Sequence, residues 1–169
     1  MPSRTLHFPH PPRSFVAVDG VTTVWDAVER KRFGIYLWCF EIDGAHWVNY
    51  VGKTSSSAGF DGRLWTELKD WQAGRYLPPP VVLDEFLCGR RTTLPARPKG
   101  HFAREIELLV PRCRLLMAPL ENKDDCLLLE GAIVNRLRRH GRTFQFLADR
   151  DKDRGYKRGR DVELDVVST

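Results

Sequence analysis

The sequence holds no two cysteines at metal-binding or redox spacing. Its four thiols, Cys39, Cys88, Cys113 and Cys126, are scattered, and none forms a C-x-x-C unit. That argues against a zinc site and a disulfide framework, and it fits small apolar residues in a reducing compartment. Long apolar runs are missing as well: none approaches the roughly 18 residues a membrane span needs. Residues 1–13 are rich in Pro, His and Arg and have no apolar segment of the secretory kind. The expectation is a cytoplasmic protein with no membrane partner. No internal repeat is visible.

Nor does one sign of charge dominate. Lys and Arg number 27 against 22 Asp and Glu, a formal charge of +5. This permits a polyanionic partner without demanding one. The distribution says more. Arg136, Arg139, Arg142, Lys152, Lys157 and Arg158 belong to a basic crowd over residues 136–160, interrupted by Asp149, Asp151 and Asp153. Alone, such a crowd is a solvated face. Next to a phosphate-handling centre it becomes a surface for a nucleic-acid backbone.

What the chain does have is enough apolar content, 42% of 169 residues, for one domain with a real core. Residues 1–13, with Pro2, Pro9, Pro11 and Pro12, suggest an irregular arm. A short edge strand is expected over 14–18 and a short helix from Thr22 or Thr23 to Arg30. Residues 33–41 are apolar on both faces, as a central strand covered on both sides requires. Residues 45–51 return alongside. Asp61 can cap a helix reaching to about residue 73, with Leu64, Leu68 and Trp71 as its buried stripe. Residues 81–88 suggest a short helix or strand, 89–100 an exposed basic loop, 101–109 a helix and 114–118 a strand. The strongest helix is 123–140, with Leu127, Val134 and Leu137 on one stripe and Gly141 at its end. Residues 162–167 suggest a last strand or docked tail.

Three features carry chemistry. Tyr36 and Tyr50 sit on the two arms of a hairpin, each two positions from a glycine, in Gly34-Ile35-Tyr36 and Tyr50-Val51-Gly52-Lys53-Thr54. They share a face only if the register has the right parity, because a one-residue slip turns every side chain over. A two-residue Asp43-Gly44 turn alone would separate them. A three-residue loop, Ile42-Asp43-Gly44, pairs Tyr36 with Tyr50, and that register, or a bulge of equal parity, is expected. Second, Arg63 lies in the first turn of the following helix, where solvation or pairing with Glu67 is its ordinary fate. Third, Glu130 projects between Val134 and Leu137, inside an apolar stripe, where a carboxylate is costly unless paired or metal-bound.

Together these residues resemble the GIY-YIG nuclease superfamily. The resemblance covers roughly residues 33–147. It implies a small α/β fold of the α+β kind, a central antiparallel three-stranded sheet flanked by helices, with strands near 33–41, 45–51 and 113–118. Residues 1–32 would form an N-terminal arm and short helix, 33–147 the nuclease domain with an insertion near 78–100, and 148–169 a basic extension.

The resemblance further implies hydrolysis of DNA phosphodiesters with one Mg²⁺ or Mn²⁺, RNA staying open as a substrate. Glu130 is similar to the single metal-binding carboxylate and Arg63 to the arginine that holds the scissile phosphate. Tyr36 corresponds to the phenol that takes the proton from water, with Tyr50 beside it, and Lys53 to a basic residue after the second motif. Arg139, Arg142, Lys157 and Arg158, with Lys53 and Arg63, are the expected nucleic-acid contacts. The thirteen residues from 37 to 49 between the motifs exceed the usual family gap, so the hairpin is extended or bulged. Gln145 stands nearest to an asparagine that the family often has. The alternative is a catalytically weak nucleic-acid-binding domain that keeps the fold.

Overall fold

A computed structural model of the protein describes residues 3–10, 13–14, 17–18, 21–22, 27–42, 45–72, 113–140, 159 and 161–168. Its elements, in chain order, are β1 (Ser3–Phe8), β2 (Arg13–Ser14), β3 (Ala17–Val18), β4 (Val21–Thr22), α1 (Ala27–Lys31), β5 (Gly34–Ile42) and β6 (Ala45–Thr54), followed by α2 (Gly59–Gln72), β7 (Cys113–Pro119), α3 (Asp125–His140) and β8 (Glu163–Ser168). The expectations for 81–88, 89–100, 101–109 and Gly141 lie outside the described residues.

The fold is a mixed α/β one built on three long antiparallel strands. Their order is β7-β5-β6, and the two-residue β2 extends the sheet beyond β7. β5 is central, and its two apolar faces each have a cover. Ile35, Leu37 and Cys39 join Val51, Leu116 and Ala118 in the main core, under Leu129, Ala132, Ile133 and Val134 of α3. Tyr36 and Trp38 point the other way, toward α2. The Tyr36 and Phe60 rings stand nearly perpendicular with centroids 6.5 Å apart, and both Tyr36 and Trp38 hydrogen-bond Glu67. A strand with no polar face is thus explained by a helix on either side.

The hairpin register corrects one expectation and satisfies its purpose. Ile42 pairs with Ala45, so the loop has two residues rather than three. Parity is restored by a bulge: Cys39 opposes Val48 while Trp38 opposes Tyr50, leaving Asn49 as the extra residue. Tyr36 therefore faces Gly52, not Tyr50, and Tyr50 sits two pairs further along, opposite Trp38, on the same face. Their ring centroids are 6.2 Å apart.

Two glycines of the hairpin are there because of close approach. A Cβ on Gly34 would stand 2.1 Å from the Ala118 carbonyl oxygen, inside the β5–β7 ladder. One on Gly52 would stand 2.2 Å from Tyr36 Cζ, because the ring lies across the backbone of its pairing partner.

The N-terminal end departs from the expected irregular arm, whereas β8 (Glu163–Ser168) is the last strand expected over residues 162–167. Residues Ser3–Phe8 are not irregular: they pair in parallel with β8, from Ser3 opposite Glu163 to Phe8 opposite Ser168. The alternation of Leu6 and Phe8, both buried, with exposed Thr5 and His7 is that of a strand. The four prolines had pointed elsewhere, but they flank this run rather than interrupt it. Leu6, Phe8 and Leu164 belong to the main core, and Arg136 on α3 donates to the Leu164 carbonyl. Gly159 packs against α3 so closely that a Cβ would meet the Leu128 carbonyl oxygen at 2.6 Å. These parts of 1–32 and 148–169 are integral to the domain.

Smaller shifts follow from local chemistry. The helix expected to end near Arg30 is present as the five-residue α1, Thr22 lies in β4 rather than at its cap, and residues 23–26 lie outside the described residues. The last helix starts at Asp125 rather than 123, after a turn in which Asn122 Oδ1 accepts the Asp124 N–H at 2.9 Å. Its buried face runs through Cys126, Leu129, Ile133 and Val134, with Leu127 only half-buried.

Candidate functional site

At the free edge of the sheet, the end of β6, the start of α2 and the middle of α3 enclose an open cleft of about 470 Å³. Tyr50 and Lys53 reach it from β6, Arg63 and Thr66 from α2, and Glu130 from α3. Thr54, Ser55 and Ser56 form its floor between strand and helix. Register explains why one strand serves both sides. Lys53 pairs with Ile35 and shares the α3 face, whereas Tyr50 pairs with Trp38 and shares the α2 face. The cleft wraps around the edge of the sheet, so residues from opposite faces meet in it. Of the five residues expected at a catalytic centre, Tyr50, Lys53, Arg63 and Glu130 are brought together here.

Tyr36 is not. Its side chain has no exposed surface, and its hydroxyl donates to Glu67 Oε1 and accepts from Arg63 Nε at 3.0 Å. Burial, and then the charge of Glu67, push its pKa well above the ordinary phenol value. A phenol that is enclosed, neutral and already hydrogen-bonded does not take a proton from water in the cleft. The expected base role of Tyr36 is corrected on that ground; the residue lies beneath the site and holds part of it.

Glu67 is the functional-looking residue that sequence reasoning passed over as a mere surface partner of Arg63. It is 6% exposed. Its Oε2 accepts from Trp38 Nε1 at 3.2 Å, and its Oε1 takes both the Tyr36 hydroxyl and Arg63 Nη2, the latter at 3.0 Å. Desolvation raises its pKa. Arg63 and the hydrogen bonds from Tyr36 and Trp38 oppose that. A signal was present: Phe60, Leu64 and Glu67 stand at i, i+4 and i+7, so Glu67 occupies the buried stripe of α2. Leu68 and Trp71, the other stripe expectations, have side chains outside the described set.

Arg63 is the link between buried and open layers. Its side chain is 38% exposed. Nε and Nη2 are directed inward to Tyr36 and Glu67, and the guanidinium also acts electrostatically on the Tyr50 hydroxyl. Burial pushes the Tyr50 pKa above its ordinary value, with Glu67 adding to the rise and Arg63 opposing it.

Glu130 is half-buried, and burial pushes its pKa from the usual carboxylate range up to about 7, against the pull of Lys53 and then Arg63. Among the described residues none forms an ion pair with it. Between its unfolded value near 4.3 and about 7, the folded state binds the extra proton, so stability falls as pH rises through that window and stays lowered above it. In metal-free buffer, Glu130→Gln should therefore exceed the wild type in stability by about 2 kcal/mol at pH 8, allowing for partial exposure, and match it near pH 4. Urea melts at the two pH values check this; an equal offset at both would contradict it.

The donor set suits a hard cation. It is all oxygen: one carboxylate, with the hydroxyls of Thr54, Ser55, Ser56 and Thr66 around the cleft. Among the described residues no group of three or more His, Cys, Asp or Glu is present. A dedicated protein cage is thus not formed by them. A Mg²⁺-like ion that keeps its waters and borrows substrate oxygens needs only one or two carboxylates, and Glu130 satisfies that requirement.

Arg142, Gln145, Lys157 and Arg158 lie outside the described residues, as does the side chain of Arg139. Among the described residues no helix is long and apolar enough to cross a membrane. Comparison with family models, curated proteins and solved structures returned no match.

Proposed function

We propose that the edge cleft is the active site of a divalent-metal-dependent endonuclease acting on DNA phosphodiesters. The observation that carries this reading is the meeting of Tyr50, Lys53, Arg63 and Glu130, from three separate elements, in one open polar cleft. Each offers what a phosphodiester needs. Arg63 presents guanidinium N–H donors to the non-bridging oxygens, oriented by its inward bonds. Lys53 adds a compact positive charge. Ser55 and Ser56 supply neutral hydroxyl donors. Glu130 would hold Mg²⁺ or Mn²⁺, and the bound ion supplies neutralisation of charge on the phosphate. Tyr50, lining the cleft beside Arg63 and neutral at pH 7, is suited to orient a water beside the phosphorus rather than to deprotonate it.

The alternative, a nucleic-acid-binding domain with little or no catalysis, draws on one specific observation: the enclosure of Tyr36, which removes one phenol from the cleft. The two readings separate in one experiment. Supercoiled plasmid and single-stranded DNA are incubated with wild type and Glu130→Ala in Mg²⁺ or Mn²⁺, and binding is followed in parallel. Cleavage by the wild type, lost at least ~100-fold in the variant with DNA affinity retained, is expected. Salt-dependent binding without wild-type cleavage in either metal would select the alternative.

A further inference from the structure

We infer that Glu67 is the positioning residue of Arg63: a buried carboxylate that locks the guanidinium in one orientation toward the phosphate. The inference rests on the cleft being a phosphodiester site, and it concerns a residue that touches no substrate. Three groups close a ring. The Tyr36 hydroxyl donates to Glu67 Oε1, Arg63 Nη2 lies 3.0 Å from the same oxygen, and Arg63 Nε donates to the Tyr36 hydroxyl at 3.0 Å. Trp38 Nε1 pins the other carboxylate oxygen at 3.2 Å. Glu67 is thus held by both a helix turn and two residues of the central strand, and it cannot follow Arg63 if Arg63 moves.

The geometry specifies how Arg63 is offered. A guanidinium has two usable edges that can each make paired bonds. Here the Nε–Nη2 edge is spent on Tyr36 and Glu67, so the end-on edge, Nη1 with the second Nη2 hydrogen, is the one left to meet an anion. An arginine tied along one edge has little freedom to swing, and the loss of its rotamer freedom is borne on folding rather than on binding. A cost accompanies this. The negative charge of Glu67 offsets part of the arginine's attraction for phosphate, so the arrangement favours orientation over ground-state affinity.

The test uses Glu67→Gln, which keeps shape and an acceptor oxygen but removes the charge. Three quantities are read: the thermal midpoint, the exchange rate of the Arg63 Nε–H by nitrogen-15 NMR, and kcat and KM on the cleaved DNA substrate. Expected are a folded protein, Arg63 Nε–H exchange at least ~10-fold faster, and kcat down ~30-fold or more with KM changed by less than ~3-fold. Tyr36→Phe serves as the second variant, opening the same ring at its hydroxyl. It should speed Arg63 exchange in the same direction even if Glu67→Gln fails to fold. A lowered thermal midpoint with Arg63 exchange and kcat both unchanged would make Glu67 merely structural and overturn the inference, as would unchanged exchange in Tyr36→Phe. If the wild type cleaves nothing in either metal, the nuclease reading fails by itself, while Arg63 exchange in the variants still decides the role of Glu67.

Discussion

Gly52→Ala should destabilise the protein by about 3 kcal/mol or more, well beyond the cost of one added methyl in an ordinary strand. The new Cβ would lie 2.2 Å from Tyr36 Cζ, 2.3 Å from its hydroxyl oxygen and 2.7 Å from Cε2. None of these atoms has room to retreat. Tyr36 is fully buried, with Phe60 at its edge and Tyr50 beside it, and its hydroxyl is held by Glu67 and Arg63. For a domain of this size such a loss corresponds to a fall in Tm of about 6–12 °C. Calorimetry checks it, and a change under ~1 kcal/mol would mean that the ring does not lie across Gly52. The same contact explains why the two short motifs depend on each other: the tyrosine of the first occupies the space that the glycine of the second leaves empty.

Arg63→Ala should cost about 2–4 kcal/mol of stability at pH 7, although it is a partly exposed helix residue. Removing it leaves the Glu67 carboxylate buried with only the Tyr36 and Trp38 donors. Breaking one side of a buried pair is the expensive case, discounted here because the Arg63 side chain is 38% exposed. Two further outcomes follow. Adding Glu67→Gln to Arg63→Ala should recover about 1–2 kcal/mol, since no charge is then stranded. Acidification should shrink the deficit. Burial already holds the Glu67 pKa above its ordinary value, and loss of Arg63 removes the strongest opposing influence. The folded state then gains a proton before the unfolded one as pH falls, and the stability lost at neutral pH returns. A deficit under ~0.5 kcal/mol at pH 7, or one that grows on acidification, would contradict the pairing. Cleavage measured with Arg63→Ala therefore has to be corrected for the folded fraction.

The sheet was legible because its signals are local. Residues 34–42 are apolar on both faces, and a strand with such a pattern belongs in the middle of a covered sheet. The parity of the hairpin was legible too, though by a requirement placed on Tyr36 and Tyr50 rather than by any mark at Asn49, whose bulge has no composition signal of its own. Opaque were the pairs set by distant residues. Nothing in the run Ser3–Phe8 announces a partner at Glu163–Ser168; its alternation is short, and prolines nearby argued for irregularity. The site divides in the same way. Lys53, Arg63 and Glu130 stand out as charges at revealing positions. The burial of Tyr36 and Glu67 does not, because it depends on how closely α2 approaches the sheet, and Gly52 alone hinted that something large must pass there.

The parallel pairing of β1 with β8 has a consequence for the order in which the molecule assembles. Ser3 waits for Glu163, a separation of 163 − 3 = 160 positions. During synthesis from the N-terminus, the hairpin, α2 and α3 all emerge before the strand that β1 needs. The loop that this pairing closes is nearly as long as the chain, so its ordering entropy is recovered late. Until then Leu6 and Phe8, both buried in the finished protein, have lost their strand partner. On a ribosome the nascent chain would thus carry an apolar, unpaired first strand beside a nearly complete cleft, which is the interval in which a chaperone or an aggregate would compete for it.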